Sequence, residues 1–191
     1  MRKAFISRKT KETEIEIELN LDGSGKYQIE TSVGFLDHML ELFAFHGNFD
    51  LKIFAKGDIH VDYHHLMEDT GIVIGKAIDE ALSERKGIKR YGFASIPMDE
   101  ALCQVTIDLG GRPFLVYKVP FDGFIKDIDI NLFEEFFRAI VNNAKINMHV
   151  NVLYGKDLHH IVEAIFKAFS KALKEAITIN GDMLPSTKGL L

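Results

Sequence analysis

The sequence predicts an α+β protein built from two repeated β-β-α-β-α halves, related by pseudo-twofold symmetry, with the helices of each half on one face of its sheet in a split βαβ-like arrangement. Three observations carry this. Adjacent histidines followed by a carboxylate occur twice, as His64-His65-Leu66-Met67-Glu68 and His159-His160-Ile161-Val162-Glu163, half of the 191-residue chain apart. Each copy opens a long stretch with helical apolar spacing. Each is preceded, in the same order, by strand-like alternation, a glycine-containing turn and a shorter amphipathic helix.

Glu14 to Leu21 reads E-I-E-I-E-L-N-L, the alternation of a half-buried strand. Asp22-Gly23-Ser24-Gly25 reads as a hairpin turn, with Lys26 to Ser32 returning as the second strand. From Phe35 to His46, one helical face collects Phe35, Leu36, Met39, Leu42 and Phe43, and Gly47 closes the helix. Phe49 to Phe54 is a short strand, and Gly57 to Tyr63 a connector or a further strand. His64 opens a helix to about Arg85, ended by Lys86-Gly87. In the second half Ala101 to Leu109 is a strand, Gly110-Gly111-Arg112-Pro113 a turn and Phe114 to Val119 the return strand. Leu132 to Asn143 is a helix and Ile146 to Leu153 a strand. Asp157 caps a last helix to about Ile177.

The repeat also shows residue by residue: Gly34-Phe35-Leu36-Asp37-His38-Met39-Leu40 lies over Asn131-Leu132-Phe133-Glu134-Glu135-Phe136-Phe137, so Glu135 answers His38. The chain divides into halves at residues 1–92 and 93–180, with a turn-rich tail at 181–191. Two apolar helix faces per half cover one face of each sheet, and packing the halves together is expected to cover the other.

Composition excludes several classes. The chain is 47% hydrophobic with a net charge of −5, so it has a core to bury and lacks the basic stripe of a nucleic-acid binder. The single cysteine, Cys103, rules out an intrachain disulfide framework and fits a reducing compartment. Met1 to Lys11 has no apolar stretch of the signal-peptide kind, and no run of about 18 apolar residues exists for a membrane helix. A cytoplasmic protein without membrane or nucleic-acid partners is expected.

On a helix, positions i, i+1 and i+4 point to 0°, about 100° and about 40°. The first histidine and the glutamate of each motif therefore share a face, while the second histidine aims aside, so one motif can serve two ions. Imidazole with carboxylate suits Mn, Fe, Zn or Ni better than Ca or Mg. Recurrence in both halves makes coincidence a poor explanation. His38 is placed to reach the same site. His46 is divided between ligand contact and a favourable position at a helix C-terminus. His60 and His149 fall on strand-like segments and are read as structural or surface residues.

Six blocks, taken in order, resemble the imidazoleglycerol-phosphate dehydratase family: Gly34 to Leu40, His64 to Asp69, Asp99-Glu100-Ala101-Leu102, Gly111-Arg112-Pro113, His159 to Ala164 and Ser186-Thr187-Lys188-Gly189. They span almost the whole chain. The resemblance implies elimination of water from D-erythro-imidazoleglycerol phosphate to give imidazoleacetol phosphate, a step of histidine biosynthesis. It implies two Mn²⁺ ions per active site and a homo-oligomer, a 24-mer built from trimers, with sites at subunit interfaces. Carried over by motif, one ion is held by His38, His65, His159 and Glu163. The other is held by His64, Glu68, His160 and Glu135. Many relatives carry histidine where this chain has Glu135; glutamate keeps an oxygen ligand, harder and with one more negative charge.

The implied reaction breaks a C–H bond with no carbonyl to accept the electrons, so the imidazole ring is the sink. Two Lewis acids on the ring nitrogens support an imidazolate. Glu12, at a position that contacts substrate in the family, is the candidate for proton transfer. Glu68 and Glu163 are further candidates, though ligands make poorer bases. Arg90 and Arg112 suit bidentate contact with the phosphate, and Ser186, Thr187 and Lys188 resemble the family's phosphate-binding segment. Two other readings compete. A dinuclear metallohydrolase predicts closely spaced ions and a bridging carboxylate. A metal-storing or metal-stapled assembly protein leaves Glu12, Arg90, Arg112 and the tail without a shared purpose.

Overall fold

The structure, a computed structural model, describes residues 1–190. The first half runs β1 (Lys3–Lys9), β2 (Thr13–Asn20), β3 (Tyr27–Glu30), α1 (Gly34–Gly47), β4 (Asp50–Gly57) and α2 (His64–Leu82). The second runs β5 (Tyr91–Met98), β6 (Ala101–Asp108), β7 (Phe114–Lys118), β8 (Phe124–Ile125), β9 (Ile128–Asp129), α3 (Leu132–Ala144), β10 (Asn147–Tyr154) and α4 (Leu158–Ala176). The α+β class and the duplication hold: the sheets have orders β1-β2-β4-β3 and β5-β6-β10-β7, the same topology twice. Strands β8 and β9 form a separate small hairpin.

Each half nevertheless opens with a strand missing from the β-β-α-β-α reading. Strand β1 is an edge strand in which only Ala4 is buried. Strand β5 is also an edge and contains Gly92 and Pro97, residues that weaken a strand reading. The hairpins are displaced in consequence. Strand β2 pairs antiparallel with β1 and β4, while β3 pairs parallel with β4. The Asp22–Gly25 segment is thus part of a crossover and not a hairpin turn, and the Gly110–Pro113 segment likewise leads to β7, which pairs parallel with β10. The residues after Gly57 form turns instead of a further strand. Helix α1 runs through Gly47 and is capped by Asn48 at φ 52°. Helix α2 stops at Leu82, short of Arg85, where Ser83 turns at φ 50°.

A second correction concerns how the halves meet. They pack helix against helix, α1 on α4 and α2 on α3, giving layers in the order sheet, helices, helices, sheet. Gly71 and Gly75, one turn apart on α2, allow the close approach of α3; a Cβ on Gly71 would lie 2.5 Å from the Phe136 carbonyl oxygen. Between the helices lie Phe43, Phe133, Phe136, Phe137, Phe166 and Phe169, all fully buried, with Phe43 stacked on Phe169 at 5.1 Å. Fully burying each ring is worth about 1.5–3 kcal/mol.

The outer face of each sheet is therefore left uncovered within the chain. On the first sheet it is charged: Glu16 and Glu18 of β2 are exposed, and Glu18 lies opposite Lys52. On the second it carries exposed aromatic rings, Tyr91, Phe93 and Phe114, with Phe93 opposite Thr106, beside the charged Asp108 and Lys118. No helix is long and apolar enough to cross a membrane.

Candidate metal centre

Both histidine motifs open a helix, as their spacing requires. At the start of α4, Asp157 caps by accepting from the His159 backbone N–H at 2.8 Å. One turn on, Glu163 faces back, and His159 Nε2 lies 3.4 Å from its Oε2. Helix α1 brings His38 to the same carboxylate, Nε2 to Oε2 3.8 Å. Ser170 of α4 donates to the Phe43 carbonyl of α1 at 2.8 Å and holds the two helices together, and the Phe35 ring meets His159 edge-on. The donor atoms of His38, His159 and Glu163 all lie within 4.8 Å of one another, and among the described residues they are the one group of three to do so.

The electrostatics suit a cation. Glu163 is buried while both imidazoles are half-exposed, so the carboxylate forms the floor of an open cluster. Burial pushes its pKa up, but Lys167, which donates to it, and the two histidines outweigh that, and the carboxyl stays below its usual range. Two imidazole nitrogens and an ionised oxygen form a donor set for a borderline divalent ion. His46 also lies near α4: burial first, then Lys167 and Lys171, lower its pKa, which works against the charged form that a dipole cap at its position near a helix end calls for.

The repeat-related set, on α2 and α3, is looser. His64 Nε2 lies 3.7 Å from Glu68 Oε2, confirming that i and i+4 share a face, but Glu68 is exposed. Glu135, on α3, has the Arg138 Nε at 3.9 Å instead. The second histidine of each pair points elsewhere, as the angular argument required. His65 Nδ1 lies 3.1 Å and 3.2 Å from the Asp58 carboxylate oxygens and 3.9 Å from Glu12. His160 Nδ1 lies 2.7 Å from Glu100. Those carboxylates raise both histidine pKa values. Glu100 itself is lowered to about 2, first by the Asp157 backbone N–H and then by His160. Within one chain, then, His65 does not join His38, His159 and Glu163, and His160 does not join His64 and Glu68.

The anion-binding candidates sit at the far end of the helices. Arg90 accepts its place from α4's C-terminus, its N–H bonded to the Ala176 carbonyl at 2.9 Å. Its guanidinium grips Asp108 at 2.6 and 3.1 Å and donates to the Pro185 carbonyl at 2.9 Å, tying down the tail. Arg112 is exposed in the turn before β7. Ser186 donates to the Leu190 carbonyl and accepts from the Lys188 N–H, while Thr187 and Lys188 are exposed. Helix α4 has 19 residues, and at 1.5 Å per residue it separates Arg90 from His159 by about 25 Å. Glu12, by contrast, is beside His65.

Four contributors to the site were given no role from the sequence, although Glu100 and Asp69 lie in two of the blocks that resemble the family. Glu100 contacts a histidine 60 residues along the chain, and Asp58 one that is seven residues on, across the turns after β4. Asp69 follows Glu68 directly but is buried, taking Arg8 and the Thr13 hydroxyl as partners. Lys167 had a legible signal, since it lies one turn beyond Glu163.

The profile of the family described as imidazoleglycerol-phosphate dehydratase matches residues 31–173. A protein so named from Thermodesulfovibrio yellowstonii is 73% identical over 191 residues, covering all of both chains. One from Geobacter metallireducens is 53% identical, covering 100% of this chain and 99% of that one. Two solved structures are similar throughout. The imidazoleglycerol-phosphate dehydratase of Staphylococcus aureus superposes with a TM-score of 0.84 at 41% identity, covering 93% of this chain and 99% of that one. A Pyrococcus furiosus structure in complex with (S)-C348 gives 0.86 at 36% identity, covering 97% and 100%.

Proposed function

Because the chain belongs to the imidazoleglycerol-phosphate dehydratase family and is thus a hydro-lyase of histidine biosynthesis, we propose that it converts D-erythro-imidazoleglycerol phosphate to imidazoleacetol phosphate with two Mn²⁺ ions per active site. The observation that carries the metal reading is the convergence of His38, His159 and Glu163 from two helices. His65 completes that set, and His64, Glu68, Glu135 and His160 form the other. Bound there, the ions supply Lewis acidity to the nitrogens of the substrate ring, which must accept the electrons of the broken C–H bond.

The chain's own residues do the rest. Glu12, exposed on the β1–β2 turn beside His65, takes the proton from the second carbon out from the ring, and the hydroxyl on the carbon next to the ring leaves with a proton as water, giving the enol of the acetol product. Glu68 and Glu163 act first as ligands, their proton-carrying role secondary to that. Arg112, Ser186, Thr187 and Lys188 hold the phosphate, with Arg90 fixing the tail that presents them. Their distance along α4 from His159 supports a site assembled from more than one copy of the chain. So does the separation of His65 from the cluster it completes. The uncovered aromatic sheet face offers a surface for self-association, in keeping with a 24-mer of trimers in the cytoplasm.

Mn²⁺-loaded protein incubated with imidazoleglycerol phosphate should yield the acetol product, and no turnover would sink the assignment. Stripping metal with chelator at low pH, where histidines protonate, should shrink the particle seen by light scattering. A constant mass would remove metal from the assembly.

A further inference from the structure

The second histidine of each pair has a carboxylate on Nδ1, but the two carboxylates come from different places. Glu100 sits in the two-residue turn between β5 and β6, and its Oε2 lies 2.7 Å from His160 Nδ1. Its other oxygen accepts from the Lys156 and Asp157 N–H groups at 3.1 and 2.8 Å, so the carboxylate is clamped to the chain entering α4. The repeat-related position in the first half, immediately before β2 as Glu100 is before β6, is Glu12. Glu12 stays 3.9 Å from His65 Nδ1. Asp58, just after β4, occupies that nitrogen instead, both oxygens within 3.2 Å, and its N–H donates to the Glu12 carbonyl at 3.1 Å.

We propose that Asp58 and Glu100 are the positioning residues of His65 and His160, each accepting a hydrogen bond from the Nδ1–H so that the Nε2 lone pair is free to hold a metal ion, and that Asp58 releases Glu12 from the task its repeat counterpart performs. The inference rests on the reading of both histidines as ligands. A ligating imidazole whose other nitrogen donates to a carboxylate is fixed in tautomer and ring orientation and is the more basic for it. The duplicated fold would otherwise spend its turn carboxylate the same way twice. Asp58 supplies a local substitute in the first half, and among the described residues the exposed Glu12 side chain has no hydrogen-bond partner, which leaves it for what a substrate brings. One duplicated position thereby serves ligand geometry in one half and proton transfer in the other.

The test is Mn²⁺ binding by the intact assembly, read from the free-ion EPR signal, for Asp58→Asn, Glu100→Gln, Glu12→Gln, His65→Ala and His160→Ala, with helix content followed by circular dichroism. The amides keep the size of the side chain and Glu100→Gln keeps an acceptor for the two N–H groups, so folding is preserved. Asp58→Asn and Glu100→Gln should each weaken Mn²⁺ binding by about 10–100-fold, and raising Mn²⁺ should restore their turnover. Glu12→Gln should bind Mn²⁺ like the unaltered protein and stay slow at any concentration. If the histidine variants lose Mn²⁺ while both amide variants keep it, the positioning role is overturned. If the histidine variants also keep it, the ligand reading itself has failed. Loss of Mn²⁺ by Glu12→Gln would overturn the division of labour between Glu12 and Asp58.

Discussion

The α1–α4 and α2–α3 helix pairs are copies of one arrangement, yet only the first closes a ligand set. In α1–α4, His38, His159 and Glu163 converge within 4.8 Å. In α2–α3, His64 and Glu68 approach to 3.7 Å, while Glu135 stands in place of the histidine and has an arginine partner. A second difference lies one turn along each helix, where Lys167 follows Glu163 but Ile72 follows Glu68. Burial holds Glu163 in one place, and the Lys167 ammonium with the two histidines outweighs the upward push of that burial on its pKa. Glu68 is exposed, with neither constraint. The lesson is that a duplicated motif sets which groups share a face, whereas its surroundings decide whether the site exists before the ion arrives. The first set is preformed; on the proposed reading the second, with two carboxylates and no ammonium, would gain most from an ion that closed it.

That contrast breaks most decisively at the glutamates. Glu163→Gln removes a ligand together with the anchor of Lys167, and kcat/KM should fall by more than about 100-fold, beyond the range for residues that merely support a ligand. Glu68→Gln should cost less, because a half-open set loses less preorganisation. Steady-state kinetics at saturating Mn²⁺ compares them directly. A larger loss for Glu68→Gln would reverse the ranking of the two helix pairs.

Glu135 sharpens the comparison at an intermediate scale. Glu135→Ala should weaken one of the two Mn²⁺ sites by about 10–100-fold and leave the other unchanged. Glu135→His makes the two sets alike in their helix-borne arms and should move preference toward zinc, since imidazole is the softer ligand. Competition titrations of Mn²⁺ against Zn²⁺ read both effects. Equal weakening of both sites by Glu135→Ala would show that Glu135 does not belong to a single ion.

What could be read from the sequence follows the range of the interaction. The duplication, the four helices and the sharing of a face by each first histidine and glutamate are local, set by spacing of a few residues. The β2–β3 and β6–β7 hairpins were misread because a glycine-rich turn says that the chain bends, not what it pairs with. Parallel partners β4 and β10 lie a helix away. Edge strands β1 and β5 alternate in burial, but Ala4, Gly92 and Ala94 face inward while Phe5, Tyr91 and Phe93 are exposed, so apolar spacing does not reveal them. Glu100 stands in a block that resembles the family, but its role was not legible for a similar reason: His160 and Glu100 are neighbours only because β6 and the start of α4 meet. The apolar helix faces were legible, but a helix face packs equally well on a sheet or another helix, and the halves chose the latter.

The smallest effect tests why α1–α4 is preformed. In the metal-free protein the Glu163 carboxyl lies below its usual range, with burial opposing and Lys167 foremost among the groups that outweigh it. A depressed carboxylate contributes stability that is present above the unfolded-state pKa and is lost as pH falls through the folded one. Lys167→Met leaves burial as the dominant influence, so the folded pKa should rise above that of the unfolded chain. The sign then reverses: the contribution is present at acid pH and is lost as pH rises through the new value. As pH rises above the ordinary glutamate value of 4.5, the Tm of the chelator-treated protein should therefore fall in the variant relative to the parent. A difference of about 2–4 °C corresponds to about 1 kcal/mol for a chain of this size. Parallel Tm curves would mean that Lys167 is not what keeps Glu163 ionised, and the contrast with Ile72 would lose its physical basis.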